Sequence, residues 1–252
     1  MSKQVIQIPS ELITALAEAQ HVVVFTGAGV SAESGVSTFR DALTGLWSRF
    51  DPMQLATPEA FVADPDLVWG WYEWRRQLLL KAQPNPAHQA IVALAQRVPK
   101  LTVVTQNVDD LHERAGSHNV LHLHGSIFQP RCFNCAQPHE LTAAPQMSHE
   151  QKLSPPLCSH CQGVIRPGVV WFGEGLPQAE MEAAFAAAEN CDVLLSVGTS
   201  GLVQPAAQIP SLALRSGAWG VHINPDPVPS QHPREISLAG GAGQLLPLLV
   251  QD

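Results

Sequence analysis

Short apolar runs punctuate the chain at Val22–Phe25, Leu101–Thr105, Val120–Leu123, Val169–Phe172, Val193–Val197 and Trp219–Ile223. Each has the length and continuity of a strand buried on both faces. Stretches with helical spacing lie between several of them, at Pro86–Gln96, Gln178–Glu189 and Gln204–Arg215. Pro9 and Ser10 open an amphipathic helix over residues 9–20, and Gly243–Val250 reads as a short closing helix. Strands alternating with helices predict an α/β fold: a doubly wound parallel sheet with helices on both faces.

Two segments break the alternation. Residues 42–86 are rich in Trp and Pro and read as helices leaning over the sheet edge. Residues 129–167 are polar and proline-bearing and contain four of the five cysteines. The expected organisation is a large domain from residues 1–41, 87–128 and 168–252. A helical insert, 42–86, and a second insert, 129–167, would form one small domain facing it. A cleft between two lobes is where a ligand sits.

The cysteines decide what the second insert is. Cys132 and Cys135 form one C-x-x-C pair and Cys158 and Cys161 another, with 22 residues between the pairs. Without a secretion signal, this spacing reads as four zinc ligands rather than disulfides. Four thiolates leave no open coordination position, so the metal is expected to be structural. Such a polar segment builds no core alone, and a metal staple supplies what it lacks. Cys191 stands by an apolar strand and reads as a small buried hydrophobe.

The 252 residues carry a net charge of −8, which argues against nucleic acid as a partner. The hydrophobic share of 45% argues against disorder. The sequence has no apolar run long enough to cross a bilayer and no signal-peptide pattern at its start, so a cytoplasmic protein is expected.

Candidate chemistry gathers at strand ends. After Val22–Phe25 comes a loop with Gly27, Gly29 and Gly35 interleaved with Ser31, Ser34 and Ser37. Glycines allow close backbone approach to a phosphate, and a helix N-terminus beyond would favour its charge. The dinucleotide fingerprint G-x-G-x-x-G is incomplete, since Ala32 occupies the last glycine position. A tight strand-to-helix turn is the competing reading. A second polar cluster, Thr105-Gln106-Asn107-Val108-Asp109-Asp110-Leu111-His112, follows the next strand. In an open α/β sheet this end faces the ligand crevice, although Asn107 or Asp109 would also serve as a helix cap. His122 and His124, two apart on an expected strand, should share a face, as a metal half-site or as a general base with a neighbour.

In order, the segments GAGVSAESGVSTFR, TQNVDDLHERAG, LHLHGS, the two C-x-x-C pairs, RPGVVWFGE, VGTS and HINP resemble the sirtuin family of NAD-dependent protein lysine deacylases, from about residue 20 to the C-terminus. The resemblance implies a Rossmann-type large domain, a zinc-ribbon small domain, and a cleft for NAD and an acylated lysine. It assigns His124 as catalytic base and gives His122 no catalytic role. Gly27, Ala28, Gly29, Ser31, Ala32 and Arg40 would hold pyrophosphate and ribose, with Phe39 near the nicotinamide. Gln106, Asn107 and Asp109 would contact the nicotinamide and its ribose, with Asn107 also serving catalysis. Gly198, Thr199 and Ser200 would touch ribose and phosphate, Asn224 the adenosine ribose, and Ala242 the adenine. The implied products are free lysine, nicotinamide and O-acyl-ADP-ribose.

Tyr72 and Arg75 lie at i and i+3 of an expected helix and offer a hydroxyl and a planar fork to a carboxylate. They resemble the Tyr-x-x-Arg pair of the sirtuin branch that removes acidic acyl groups, and Ala56 resembles its widened acyl pocket. Succinyl- and malonyl-lysine are therefore expected substrates, with acetyl-lysine also accepted. In the competing reading, Tyr72 is core and Arg75 a solvated charge like its neighbour Arg76. Gly168 departs from the branch, which often carries His there. The expected partner is an acylated lysine in protein, with no nucleic acid or membrane and a monomeric state. The same fold would also support mono-ADP-ribosyl transfer to protein. A third reading is a non-catalytic zinc-ribbon module.

Overall fold

The computed structural model describes residues 8–36, 52–141, 151–227 and 229–250. Its main sheet has six parallel strands: β1 (His21–Thr26), β2 (Lys100–Thr105), β3 (Val120–His122), β6 (Val193–Val197), β7 (Trp219–Asn224) and β8 (Glu235–Ala239). They lie in the order β3-β2-β1-β6-β7-β8. The chain steps outward from β1 on one side, then returns to build outward on the other. The loops after β1 and β6 therefore meet at a switch point, where open α/β sheets bind ligands.

The period-two rule divides each central strand between two layers. Val22 and Val24 pack with Leu12 and Leu16 of α1 (Ser10–Glu18), Ile91 and Leu94 of α4 (Pro86–Ala95), and Leu245 of α8 (Ala242–Leu245). Val23 and Phe25 face the other way, onto Met181 and Ala184 of α6 (Gln178–Glu189) and Ile209 and Ala213 of α7 (Ile209–Arg215). Val22 through Phe25 are fully buried, which is why this strand reads as a continuous apolar run.

Helix α4 starts where its sequence says. The Asn85 side chain accepts from the Ala87 N–H at 2.9 Å, Pro86 occupies the first turn, and His88 Nδ1 accepts from the Asn85 N–H at 3.3 Å. Asn85 Nδ2 also donates to Val30 O at 2.8 Å and Ser34 Oγ at 3.0 Å, tying this cap to the glycine loop.

The helical insert packs on the segments that flank the cysteine-bearing insert. Helices α2 (Pro58–Ala63) and α3 (Pro65–Lys81) are capped by Thr57 and Asp64. The cysteine-bearing insert forms the antiparallel pair β4 (Arg131–Cys132) and β5 (Ile165–Arg166). Leu55, Phe61, Val68, Trp71 and Tyr72 pack with Ile127, Val169 and Trp171. The segment after residue 150 docks on the start of α3. There the Leu153 N–H donates to Asp66 O at 3.0 Å, Ser154 Oγ to Asp66 Oδ2 at 3.1 Å, and Lys152 Nζ to Asp64 Oδ2 at 2.5 Å.

Several expectations need correction. Val169–Phe172 is not a strand; beyond one bridge between Gly125 and Val169, its N–H groups go to separate loops. Val170 N reaches His124 O at 2.8 Å and Phe172 N reaches Ala56 O at 2.9 Å, so the segment stitches loops together. Strand β8 was not expected, because this partly exposed edge strand pairs only with β7 and lacks an apolar run. The glycine loop continues as two 3-10 turns, Ala28–Val30 and Ala32–Ser34, rather than opening directly into an α-helix. The helix expected from Gln204 is a 3-10 turn, Ala206–Gln208, leading into α7. Residues 243–250 likewise lie in the short α8 followed by a 3-10 stretch, Leu246–Val250.

Gly70 of α3 lies against the docked segment: a Cβ there would be 2.4 Å from Gln151 O. Gly70→Ala would gain about 1 kcal/mol of helix propensity. Overlap at 2.4 Å with one backbone atom and 2.9 Å with another belongs at the upper end of the about 1–3 kcal/mol that overpacking costs, so the net loss of about 2 kcal/mol should lower the melting temperature by several degrees in a thermal scan. An unchanged or higher melting temperature would mean that the insert does not pack on this helix.

Candidate active site

Two loops meet backbone to backbone at the switch point. Gly27 N donates to Val197 O at 3.0 Å and Gly29 N to Gly198 O at 2.9 Å. A Cβ on Gly29 would lie 2.7 Å from the Gly198 Cα, and Gly198 adopts a φ of +60°. These glycines are therefore required first by chain-to-chain contact. From this junction Thr199 takes two bonds: its hydroxyl accepts from Gln106 Nε2 at 2.9 Å, and its carbonyl accepts from Asn224 Nδ2 at 2.9 Å. The ends of β1, β2, β6 and β7 are thus cross-linked by the polar residues singled out in the sequence.

Beneath this layer lies a buried cluster. Ser31, fully buried, donates its hydroxyl to Asp109 Oδ2 at 3.0 Å and accepts from Asn107 Nδ2 at 3.1 Å. Asp109 Oδ1 accepts from the Leu111 N–H at 3.1 Å. Burial pushes the Asp109 carboxyl above its ordinary range, against the pull of the Leu111 N–H and the Ser31 hydroxyl. Asp109 is not the helix cap: Asp110 holds that position before Leu111–Ala115 without a side-chain cap bond, and Asp109 takes the Leu111 N–H from one residue earlier. Farther back, Thr26 donates to Thr105 at 2.9 Å and so accepts from the His112 Nε2–H at 3.1 Å. Burial drives the His112 imidazole down to about 3, leaving it a neutral prop under the strand ends.

The two histidines of LHLHGS have different surroundings. Strand β3 ends at His122, so His124 lies in the turn beyond and the shared-face expectation fails. His122 is held at both ring nitrogens: Nε2 lies 2.6 Å from Glu113 Oε1 and Nδ1 3.3 Å from Asn107 O. Both neighbours only accept, so the protonated ring suits this place. Burial disfavours that charge, but the Glu113 carboxylate outweighs it and holds the imidazole above its usual value. His124 Nδ1 lies 2.9 Å from Gln106 O, which fixes the proton on Nδ1 and leaves Nε2 as a bare acceptor. Burial pulls this ring below its usual value, against a weaker upward pull from the same carbonyl. At neutral pH His124 is therefore an uncharged base with one open nitrogen.

On the small-lobe side, Tyr72 is buried and its hydroxyl accepts from Trp171 Nε1 at 3.0 Å. Arg75, half-buried, places its guanidinium carbon 4.9 Å from the centre of the Trp71 ring. Burial pulls the Arg75 guanidinium below its usual value, against the opposing pull of Tyr72 and the Asp109 carboxylate. Ala56 packs with the same group of aromatic residues. The comparison with Arg76 as a surface charge is wrong: Arg76 is 5% exposed and forms a two-pronged pair with Glu73. Gly168 has no space for a side chain, since a Cβ would lie 1.8 Å from Gln129 O. Ala28 is half-buried, Ala32 and Ser200 are exposed, and Ala242 is buried at the start of α8. That helix start is held to the glycine loop by a 2.9 Å bond from the Gly243 N–H to Glu33 Oε1. Phe39 and Arg40 lie outside the described residues. Sequence reasoning quoted RPGVVWFGE as a motif but assigned no role to Arg166, Trp171 or Glu174. Arg166 pairs with Glu174 and stacks 3.6 Å from the Trp171 ring centre, shaping the segment beside Tyr72.

The cysteine set fits one tetrahedral zinc. The four sulfurs all lie within 4.8 Å of one another, with pairs at 3.4 Å and 3.7 Å. Sulfurs about 2.3 Å from a shared zinc are about 3.8 Å apart. Cys132 and Cys158 are buried against Trp69 and Ile165, so the metal would bind the helical insert to the ribbon.

A doubly wound parallel sheet with polar side chains gathered at its switch point and a four-cysteine metal site is the arrangement of a dinucleotide-using enzyme. The Sir2 family profile matches residues 27–205, and the chain belongs to that family. A Pseudomonas aeruginosa protein named NAD-dependent protein deacylase 1 is 60% identical over 242 residues, covering 95% of this chain and 97% of its own. An NAD-dependent protein deacylase 1 of Archaeoglobus fulgidus is 46% identical over 243 residues, with 96% of each chain covered. A solved Sir2 homolog–NAD complex aligns at a TM-score of 0.87 and 44% identity, covering 99% of this chain and 95% of that one. The donor set here suits such a ligand: carboxamides, hydroxyls and a carboxylate for ribose and carboxamide groups.

Chelation with a strong zinc chelator should release one zinc per chain and melt the ribbon at a lower temperature than the sheet. Elemental analysis alongside calorimetry checks both. Loss of zinc with an unchanged thermogram would exclude a structural role.

Proposed function

We propose that this chain removes acyl groups from protein lysine side chains at the expense of NAD, releasing nicotinamide, O-acyl-ADP-ribose and free lysine. Succinyl and malonyl groups are its distinguishing substrates, and acetyl is also accepted. The observation that carries this reading is the open Nε2 of His124, held by Gln106 beside the Ser31–Asn107–Asp109 cluster. The names of the similar Pseudomonas and Archaeoglobus proteins support it. So does a solved neighbour, Sir2Af2 bound to a myristoylated histone peptide, at a TM-score of 0.71 and 32% identity over 95% of this chain and 93% of that one.

NAD supplies the ribosyl carbon that accepts the acyl oxygen. The residues of this chain do the rest. Gly27, Ala28, Gly29, Ser31, Ala32 and Arg40 hold pyrophosphate and ribose, with Phe39 near the nicotinamide. Gly198, Thr199 and Ser200 touch ribose and phosphate, Asn224 binds the adenosine ribose, and Ala242 borders the adenine. Gln106, Asn107 and Asp109 fix the nicotinamide end. Orienting two reactants in line is worth on the order of 7–11 kcal/mol. His124 Nε2 takes a proton from a ribose hydroxyl, and its Nδ1–H bond to Gln106 O keeps that nitrogen basic. Arg75 and Tyr72 hold an acyl carboxylate, in a pocket opened by the small Ala56. Zinc on Cys132, Cys135, Cys158 and Cys161 takes no part in chemistry.

Four unpaired thiols around one point suit a reducing, cytoplasmic setting. No helix among the described residues is long and apolar enough to cross a membrane. The enzyme acts as a monomer on acylated lysine segments, and its net charge of −8 disfavours nucleic acid.

The deciding experiment is a panel of acetyl-, malonyl- and succinyl-lysine peptides with and without NAD, read as nicotinamide release and peptide mass. Turnover should need NAD, and Arg75→Met should lower desuccinylation at least about tenfold more than deacetylation, the worth of a charge-assisted bond. Persistent ADP-ribose label on protein without loss of acyl groups would overturn the deacylase reading.

The pH profile tests the base. His124 must be neutral to act, and its folded value lies below the ordinary value of about 6.5. Activity should therefore hold below pH 6.5 and fall only as pH drops through that lowered value. An acid limb in kcat/KM centred at or above 6.5 would point to another group.

A further inference from the structure

We propose that Trp171 sets the preference for acidic acyl groups by orienting the Tyr72 hydroxyl toward the acyl carboxylate. This rests on the reading of Tyr72 and Arg75 as the carboxylate site.

The indole nitrogen only donates, whereas a phenol both donates and accepts. Trp171 Nε1 donates to the Tyr72 oxygen at 3.0 Å, so the phenol proton cannot point toward the indole. Among the described residues Trp171 is the hydroxyl's only hydrogen-bond partner. The phenol proton is therefore left for a ligand. Burial pushes the Tyr72 phenol up, so that proton stays in place at neutral pH. An accepted hydrogen bond also polarises the phenol and makes it a better donor. Tyr72 and Arg75 share a helix face, so a carboxylate there meets one directed O–H and one guanidinium fork.

The indole is itself held in place. It is 2% exposed, and Arg166 stacks over its face at 3.6 Å. Arg166 pairs with Glu174, whose Oε2 also accepts from the Trp171 N–H at 2.8 Å. Phe61 packs on the ring at 5.3 Å between centroids. Side chains from the two inserts and the segment after them thus converge on one N–H direction. Acetyl-lysine ends in a methyl group and makes no use of it.

The test replaces the donor and keeps the ring. Trp171→Phe, and Trp171 replaced by β-(3-benzothienyl)alanine, both lack the N–H; the second preserves ring size and the Arg166 stack. Each should lower the succinyl-to-acetyl ratio of kcat/KM by about tenfold, through KM of the succinyl peptide, the scale of one lost hydrogen bond. Adding Trp171→Phe to Tyr72→Phe should lower the ratio no further than Tyr72→Phe alone. If Trp171→Phe does not fold, the benzothienyl variant decides. An unchanged ratio in it, with Arg75→Met still selective, would overturn the role of Trp171 and leave the carboxylate site standing. An unselective Arg75→Met would remove that site, and this proposal with it.

Discussion

The site depends on one contact: two loops of the sheet touching backbone to backbone at the switch point. Gly29 and Gly198 approach so closely that no side chain fits between them. This closeness lets Thr199 reach both Gln106 and Asn224. The fingerprint glycines are usually read for their approach to phosphate. Here they first bring the ends of β1 and β6 together. The missing third glycine of the fingerprint, Ala32, is explained by position. It lies in an exposed 3-10 turn, away from the close contact.

The second layer of order is protonic. Two histidines separated by one residue are pushed in opposite directions because their neighbours differ. His122 sits between a carboxylate and a carbonyl, which favours its charged form, and it bridges Glu113 to the Asn107 backbone. His124 has one carbonyl partner and one open nitrogen. Low local dielectric strengthens each of these bonds and makes any unpaired group costly. The same logic keeps Ser31, Asn107 and Asp109 satisfied by one another in a buried place.

The small lobe has a different economy. Zinc and a modest aromatic cluster hold together segments that alone bury too little surface. Arg166 stacks on Trp171 and pairs with Glu174 inside that cluster. The segment from Val169 to Phe172 is the seam: its N–H groups reach His124, after β3, and Ala56, before α2. An apolar run that looks like one more strand is thereby used as a lining.

Much of this protein is legible along the chain. The buried strands follow from continuous apolar runs, because a parallel sheet covered on both faces selects for nothing else. The zinc ligands follow from spacing, because two short C-x-x-C hairpins close one tetrahedron. The order of motifs identifies the family. Where local pattern fails, a partner distant in sequence is responsible. Edge strand β8 exists because β7 offers it a pairing face, and Arg76 is buried because Glu73 and the surrounding helices neutralise it. The direction of the Tyr72 hydroxyl depends on an indole 99 residues away. Sequence determines which segments must be buried and which ligand chemistry is present, since both are properties of residue type and period. Tertiary structure alone decides protonation, tautomer and hydrogen-bond direction, since these are set by whichever groups the fold brings within about 3 Å.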